Sequence, residues 1–176
     1  VIGLKVGDKI TTDHIMPAGQ RLKYRSNIPA YSRYVYENVD PAFSQRALEN
    51  KNRGVMTAIV GGQSYGQGSS REHAAICPMY LGVRVIMAKS FERIHSANLI
   101  NFGIIPLVFK NESDYERINT GDSFTASGLI GQVAKGNDVS VEIAGAEYLF
   151  TLLASERQRK ILVDGGLLNF TRKNIS

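Results

Sequence analysis

The sequence predicts an α/β domain whose core is ordered strand, helix, strand, helix, strand and is followed by a β-rich flank. Three apolar runs typical of buried strands lie in the middle of the chain, at residues 54–62, 82–89 and 104–109. The two connectors between these runs favour helices, and in the second the apolar residues recur at helical spacing. Strands that alternate with helices in this way lie parallel and are joined by right-handed crossovers.

Capping patterns predict where the two core helices begin and end. Ser69 and Glu72 have the spacing of a capping box, which predicts a helix from about Ser70. Ser90 is the predicted N-cap of the second helix, and Gly103 follows its end, where a left-handed residue is favoured.

The later part of the chain has a different pattern from the core. Residues 120–153 are predicted to form short strands with glycine turns, and the Gly-Asn-Asp at 136–138 is typical of a hairpin turn. Ser155 and Gln158 form another capping-box pattern, which predicts a terminal helix ending at the glycine pair 165–166.

Residues 17–53 are predicted to form a long, irregular, tyrosine-rich segment, and loops of this length are usually functional. The segment contains Arg21, Lys23, Arg25 and Arg33 among four tyrosines. It is typical of a solvated loop, of a nucleic-acid surface, or of a surface that faces an anionic small molecule or a larger partner. Because arginine matches carboxylates with two parallel hydrogen bonds, the anionic ligand or partner is favoured.

Composition excludes several classes of protein. The 176 residues are expected to form a single domain, residues 1–176, and the net charge of +5 is mild for a nucleic-acid binder. No apolar stretch is long enough to cross a membrane. The single cysteine, Cys77, excludes an internal disulfide and favours a cytoplasmic location. His14, His73 and His95 lie too far apart in sequence to favour a metal site.

The stretch GQGSSREHAA, residues 66–75, predicts an anion-binding site. Its glycines allow a sharp turn after a strand, and a helix start presents unpaired N–H groups and partial positive charge. Arg71 opposes the helix dipole unless an anion is bound there. The alternative is that Ser69 only caps the helix and Arg71 pairs with a surface acid. The residue order of a phosphate-binding loop is absent.

Residues 61–109 closely resemble the swivelling C-terminal domain of the aconitase family, whose signature is a Gly-Ser-Ser-Arg-Glu-His run. Residues 7–19 resemble the Thr-Asp-His-Ile stretch of the same family. The resemblance covers nearly the whole chain and is weakest from about residue 111. It implies a three-layer β/β/α swivelling domain of a hydro-lyase, which interconverts citrate and isocitrate through cis-aconitate.

The resemblance also implies a role for individual residues. Ser69 would be the base that removes a proton next to a carboxylate, Ser70 and Arg71 would hold substrate carboxylate, and Arg25 would hold another. Asp13 would join the hydrogen-bond network. Because a serine hydroxyl is a very weak acid, such a base needs surrounding donors and positive charge.

Two positions bear on the choice of substrate. Met16 stands where aconitases often carry serine. Arg25 has no match in the shorter loop of the isopropylmalate isomerases, so it favours an aconitate hydratase. The alternatives are the small subunit of an isopropylmalate or homoaconitate isomerase, an RNA-binding module and a simple carboxylate-binding module.

The family's 4Fe–4S cluster needs several cysteine thiolates, and this chain has one cysteine. No cofactor or metal is therefore expected within the chain. The cluster is expected on partner domains, either in cis or as a large subunit in trans, and the isolated chain is expected to be inactive. Val1 in place of methionine favours excision from a longer protein.

Overall fold

The computed structural model describes residues 1–175, which form one seven-stranded mixed sheet packed against helices. The strands are β1 (Ile2–Lys5), β2 (Thr57–Gly61), β3 (Val83–Ala88), β4 (Ile105–Phe109), β5 (Phe124–Thr125), β6 (Asp138–Ile143) and β7 (Ala146–Leu152). The α-helices are α1 (Thr12–Ile15), α2 (Ile28–Ser32), α3 (Phe43–Asn52), α4 (His73–Tyr80), α5 (Arg93–Asn101), α6 (Asp114–Arg117), α7 (Leu129–Lys135), α8 (Glu156–Val163) and α9 (Leu167–Ile175), and a 3₁₀ helix spans Gly19–Tyr24.

The strands follow the order β1-β2-β3-β4-β7-β6-β5 across the sheet. The first four are parallel neighbours, and β7, β6 and β5 continue the sheet in antiparallel pairing. The predicted parallel core of β2, β3 and β4, with α4 and α5 as crossovers, is therefore confirmed. The edge strand β1 was not predicted.

The sheet is buried on both faces, which explains why its parallel strands are continuous apolar runs. In β2, Ala58 and Val60 belong to one apolar cluster and Ile59 belongs to the other. The first cluster includes residues of α7 and α8, and the second includes residues of α2, α3 and α4. This arrangement places helices on both sides of the sheet and confirms the α/β class.

Helix α4 begins later than predicted. Its first residue is His73, and Glu72 precedes it as an N-cap residue whose side chain makes no capping bond. The predicted start at Ser70 and the capping box at Ser69 are therefore wrong. The Ser69 carbonyl instead accepts a hydrogen bond from the hydroxyl of Thr12 at 3.2 Å, which ties this residue to α1.

The start of α5 was also misplaced, by two residues. Glu92 is its N-cap residue, and the Ser90 hydroxyl accepts a hydrogen bond from the Ser64 N–H at 2.8 Å. Ser90 therefore joins two loops rather than capping the helix. The prediction for the helix end is confirmed, because Gly103 follows it with a φ of +72°.

Residues 17–53 are more regular than predicted, since they contain the 3₁₀ helix, α2 and α3. Residues 120–153 also contain a helix, α7, where strands were predicted, because Leu129 and Val133 are buried one helical turn apart. The hairpin between β6 and β7 turns at residues 144–145, both of which have positive φ, and not at 136–138.

The predicted capping box at the start of α8 is confirmed. The Ser155 hydroxyl accepts the Gln158 N–H at 3.3 Å, and the Gln158 side chain accepts the Ser155 N–H at 2.8 Å. The helix ends at Val163, and a second helix, α9, follows the glycine pair and was not predicted. Among residues 1–175, no helix combines the length and the apolar character needed to cross a bilayer.

Candidate functional site

The signature run lies at the carboxyl edge of the parallel strands, where open α/β sheets place their ligand sites. Three loops meet there, one after each of β1, β2 and β3. They are joined by parallel bridges between Thr11 and Gln67 and between Tyr65 and Phe91. A cavity of about 210 Å³ opens between them. One wall is residues 66–71, and the opposite wall is the beginning of α5.

The backbone of the first wall is held by long-range hydrogen bonds. The N–H groups of Gly66 and Gln67 both donate to the Ile10 carbonyl, at 2.7 and 3.0 Å, and the Thr12 N–H donates to the Gln67 carbonyl at 2.8 Å. Gly66 has a φ of +91°, and a Cβ there would overlap the ring of His95. Glycine is therefore required at this position both by backbone conformation and by space.

Asp13 and Arg71 form a two-point ion pair at the cavity. The guanidinium binds both carboxylate oxygens, with Nη2 donating to Oδ2 at 3.2 Å. Arg71 therefore pairs with an acid, as the alternative interpretation of this residue predicted. Two of its five N–H groups are used in this way, so Asp13 fixes the direction of the guanidinium while the remaining donors stay available.

The two serines of the run are exposed, and both contribute to the cavity wall. The Ser70 hydroxyl accepts a hydrogen bond from the Asn98 side chain at 3.4 Å. The helix whose first turn borders the cavity is α5, since Glu92 and Arg93 line it and α4 begins only at His73. The prediction that Ser69 sits at the mouth of α4 is therefore wrong.

Arg25 lies near the signature run but does not line the cavity. It follows the 3₁₀ helix, and its carbonyl oxygen is 3.0 Å from Nε2 of His73, the first residue of α4. Its side chain is exposed. The structure thus brings Asp13, Ser69, Ser70 and Arg71 together, and places Arg25 beside the next helix.

The remaining candidate positions are structural. Met16 is fully buried in the apolar cluster under α4, so it packs in the core and does not line the cavity. Cys77 is buried as well, and burial raises the pKa of its thiol to about 11. His14 closes a capping box with Thr11 at the start of α1. Within residues 1–175, no group of three or more His, Cys, Asp or Glu side chains is placed to hold a metal ion.

The aromatic rings of the basic segment are used within the protein. Tyr24 and Tyr34 stack with their centroids 5.4 Å apart, and the Arg21 guanidinium lies 4.0 Å from the Tyr34 ring centre. Arg21 also binds Glu37 through two hydrogen bonds, at 3.0 and 2.5 Å. These contacts already cover part of the ring faces that a single-stranded nucleic acid would need for stacking.

His95 is a cavity residue that sequence analysis missed. It is only 2% exposed, and neither ring nitrogen has a hydrogen-bond partner. Burial lowers the pKa of the imidazole to about 4, so the ring is neutral at physiological pH. Its ring packs at 5.6 Å from that of Tyr65, whose hydroxyl is hydrogen-bonded to the Tyr36 hydroxyl. A histidine at helical spacing gives no sign in the sequence that it lies under a glycine of a distant loop.

This burial predicts that the chain loses stability in acid. The folded pKa of His95 is about 4 against an ordinary value of 6.5, so the unfolded chain binds more protons between these values. The free energy of unfolding keeps its full value with respect to this group above about pH 6.5. It falls by about 3 kcal/mol in total as the pH is lowered toward about 4.

Urea unfolding of the full chain at several pH values measures this effect. In His95→Phe the imidazole no longer contributes to the pH dependence of the unfolding free energy. The unfolding free energy of the variant minus that of the wild type therefore grows by about 3 kcal/mol from about pH 7 to about pH 4. A pH-independent difference would contradict the assigned burial of the neutral ring.

Comparisons with known proteins agree with this fold. The family model described as the aconitase C-terminal domain matches residues 9–112, more than half of the chain. The chain is 34% identical to the mitochondrial homocitrate dehydratase of Saccharomyces cerevisiae, over 95% of this chain and 24% of that protein. It is 39% identical to a probable mitochondrial aconitate hydratase of Dictyostelium discoideum, over 82% of this chain and 21% of that protein. The chain thus spans a quarter or less of the length of these relatives.

A solved structure extends the comparison to nearly the whole fold. The crystal structure of 3-isopropylmalate dehydratase from Methanocaldococcus jannaschii matches with a TM-score of 0.77 and 28% sequence identity. The match covers 97% of this chain and 91% of that chain. These matches, together with the signature run at the carboxyl edge of the sheet, show that the chain belongs to the aconitase C-terminal domain family.

Proposed function

We propose that this chain is the swivel domain of an aconitate hydratase, a hydro-lyase that interconverts citrate and isocitrate through cis-aconitate. The observation that carries the proposal is the position of Ser69, which is exposed at the cavity wall within the same loop as Arg71. The relatives named as aconitate hydratases and the Arg25 position support the choice of a tricarboxylate substrate.

In this proposal Ser69 acts as the general base. Its oxygen takes a proton from the carbon next to a substrate carboxylate, the C–H electron pair forms the new double bond, and hydroxide leaves from the neighbouring carbon. Because an alkoxide is stable only beside donors and positive charge, the Arg71 guanidinium is the group that favours deprotonation. Asp13 acts through Arg71, since its carboxylate fixes the guanidinium direction.

The carboxylates of the substrate need donors from more than one element. Arg71 keeps three N–H groups beyond those bound to Asp13, and Ser70 adds a hydroxyl on the same loop. Arg25 is exposed and makes no ion pair or side-chain hydrogen bond among residues 1–175. It is therefore available for a carboxylate that extends beyond the cavity.

The residues present do not fit an iron–sulfur cluster. Cys77 is the only cysteine, it is buried, and its raised pKa keeps it a thiol. We therefore assign the cluster to partner domains, either in cis or as a large subunit in trans. The arrangement in cis is supported by the matched relatives, which are about four times longer than this chain. The arrangement in trans is supported by the matched structure, which has a similar length to this chain. A cytoplasmic location stays a prediction.

The test uses the complete protein, in which this chain is joined to or assembled with the cluster-bearing part. Citrate and isocitrate are supplied separately, and formation of cis-aconitate is followed by its ultraviolet absorbance. Turnover of both acids is expected. Turnover of an isopropylmalate in their place would instead favour the second candidate function, the small subunit of an isopropylmalate isomerase, which the coverage of the matched structure supports.

Arg25→Leu is expected to lower kcat/KM for citrate by about 10- to 100-fold, because a charge-assisted hydrogen bond to a carboxylate is lost. Arg33→Leu is the matched control, since Arg33 is an exposed arginine of the same segment and is not part of the proposed site. Steady-state kinetics of the assembled protein measures the effect. If Arg25→Leu improved turnover of a malate with an apolar branch, the isopropylmalate alternative would replace the aconitate hydratase proposal.

A further inference from the structure

The wall of the cavity opposite the signature run is the beginning of α5, a helix of nine residues. Its N-cap residue, Glu92, makes no side-chain capping bond. The first-turn N–H groups of a helix have no partner within the helix, and the dipole adds partial positive charge at this end. This wall therefore presents donors to the cavity.

A second observation at this wall is independent of the helix end. The ring of His95 lines the same cavity, is 98% buried, and has no hydrogen-bond partner at either nitrogen. A buried polar group without a partner lowers stability by about 1–3 kcal/mol, and native proteins rarely keep one that nothing ever satisfies. Because His95 belongs to the cavity lining, a group bound in the cavity is the candidate partner for its ring.

The charges around the cavity differ between its two walls. On the wall formed by the signature run, Arg71 is already paired with Asp13. On the α5 wall, Arg93 is exposed, and its side chain makes no ion pair or hydrogen bond among residues 1–175. Glu92 also lines this wall, and it is the one acidic residue among the described residues that line the cavity. Among the described residues that line the cavity, Arg93 is thus the cation whose guanidinium donors are all free, whereas Arg71 uses two of its donors on Asp13.

We propose that the beginning of α5 is a second carboxylate position of the site, in which Arg93, the first-turn amides and the His95 ring bind one carboxylate of the substrate. The identity of the ligand rests on the proposed function. The position itself rests on the geometry of this wall. A substrate carboxylate held here and another held by Arg71 would place the carbon chain between the walls, next to Ser69. His95 is then a binding residue for the substrate, and it takes no part in the proton transfer.

The experiment follows the amide and imidazole nitrogen signals of the full chain by NMR during titration with citrate, against sodium chloride at equal ionic strength. The amides of Arg93, Ile94 and His95 and the His95 ring are expected to shift with citrate only. Arg93→Gln is expected to weaken citrate binding by about five- to tenfold relative to Arg33→Gln, which removes the same charge elsewhere.

His95→Phe keeps a ring of similar size under Gly66 and removes both nitrogens. It is expected to weaken citrate binding by about fivefold while the melting temperature stays equal or rises, because unpaired buried polar atoms are gone. A merely structural histidine would give the stability change without the loss of binding, and this result would overturn the proposal.

The outcomes separate this inference from the proposed function. Shifts confined to residues 69–71, with Arg93→Gln binding as tightly as its control, would overturn the second carboxylate position and leave the hydratase proposal standing. If citrate shifts the signals at the start of α5 but the assembled protein does not turn over citrate, the second carboxylate position is supported and the aconitate hydratase proposal is rejected. No citrate-specific shift anywhere would overturn the position.

Discussion

Ser69→Ala is expected to lower kcat of the assembled protein by about 10²- to 10⁴-fold, because the proposed general base of the proton transfer is removed. The Ser69 side chain makes no hydrogen bond that holds the fold, since its contact with Thr12 uses the backbone carbonyl. Citrate affinity and the unfolding free energy are therefore expected to stay close to those of the wild type. Single-turnover kinetics measures the chemical step, and calorimetry measures citrate binding.

Ser127→Ala is the control for this prediction, because Ser127 is an exposed serine that does not line the cavity. It is expected to keep full activity. Retained turnover in Ser69→Ala, with the protein folded and citrate bound, would reject Ser69 as the base. Loss of citrate binding together with turnover would instead assign this serine to substrate binding.

Gly66→Ala is expected to have the largest effect on stability, a loss of about 3–5 kcal/mol in the free energy of unfolding. Gly66 has a φ of +91°, where a side chain is strained, and the added Cβ would overlap the imidazole of His95. This loss is a large part of the stability of an ordinary domain. Urea unfolding of the full chain, followed by circular dichroism, measures it.

Gly121→Ala separates the two causes, because Gly121 has a φ of +97° and open space where its Cβ would lie. It is expected to lose only about 1–2 kcal/mol from backbone strain. The double variant Gly66→Ala with His95→Ala is expected to lose about 1–3 kcal/mol less than the sum of the single changes, since the overlap is gone. Equal losses for Gly66→Ala and Gly121→Ala would contradict the close contact of Gly66 with His95.

The parallel core was predictable because local and tertiary requirements agree there. A strand covered on both faces needs an uninterrupted apolar run, and β2, β3 and β4 provide such runs between glycines. The helix α7 was not predictable in the same way. Its seven residues are too few to separate a helical pattern from that of short strands, and only burial of Leu129 and Val133 distinguishes them.

Capping signals failed where a polar side chain or backbone group had a tertiary partner. Ser90 binds the backbone of Ser64, and residue 69 is held through its carbonyl by Thr12. A local sequence pattern contains no information on such distant partners. The capping box at Ser155 was predicted correctly because both of its bonds are local.

The candidate site was predictable only in the part that the signature run and the Thr-Asp-His-Ile stretch encode. Asp13, Ser69, Ser70 and Arg71 were named from the sequence, and the structure places them around one cavity or in direct contact with its wall. The α5 wall was not predicted, because the sequence does not show which loop lies beside the beginning of α5. The order of the strands in the sheet determines which loops meet there and line the cavity.

The hydrogen bonds that hold the signature run connect residues far apart in the chain, and the Thr12 contact with Ser69 spans 57 positions. These contacts join the loop after β1 to the loop after β2, so the geometry of the signature run depends on the parallel pairing of these two strands. Because β1 is an edge strand, local opening of the sheet at this edge would disturb the candidate site without unfolding the rest of the domain. We therefore expect a substitution that weakens the pairing of β1 to weaken citrate binding more than it lowers the free energy of global unfolding.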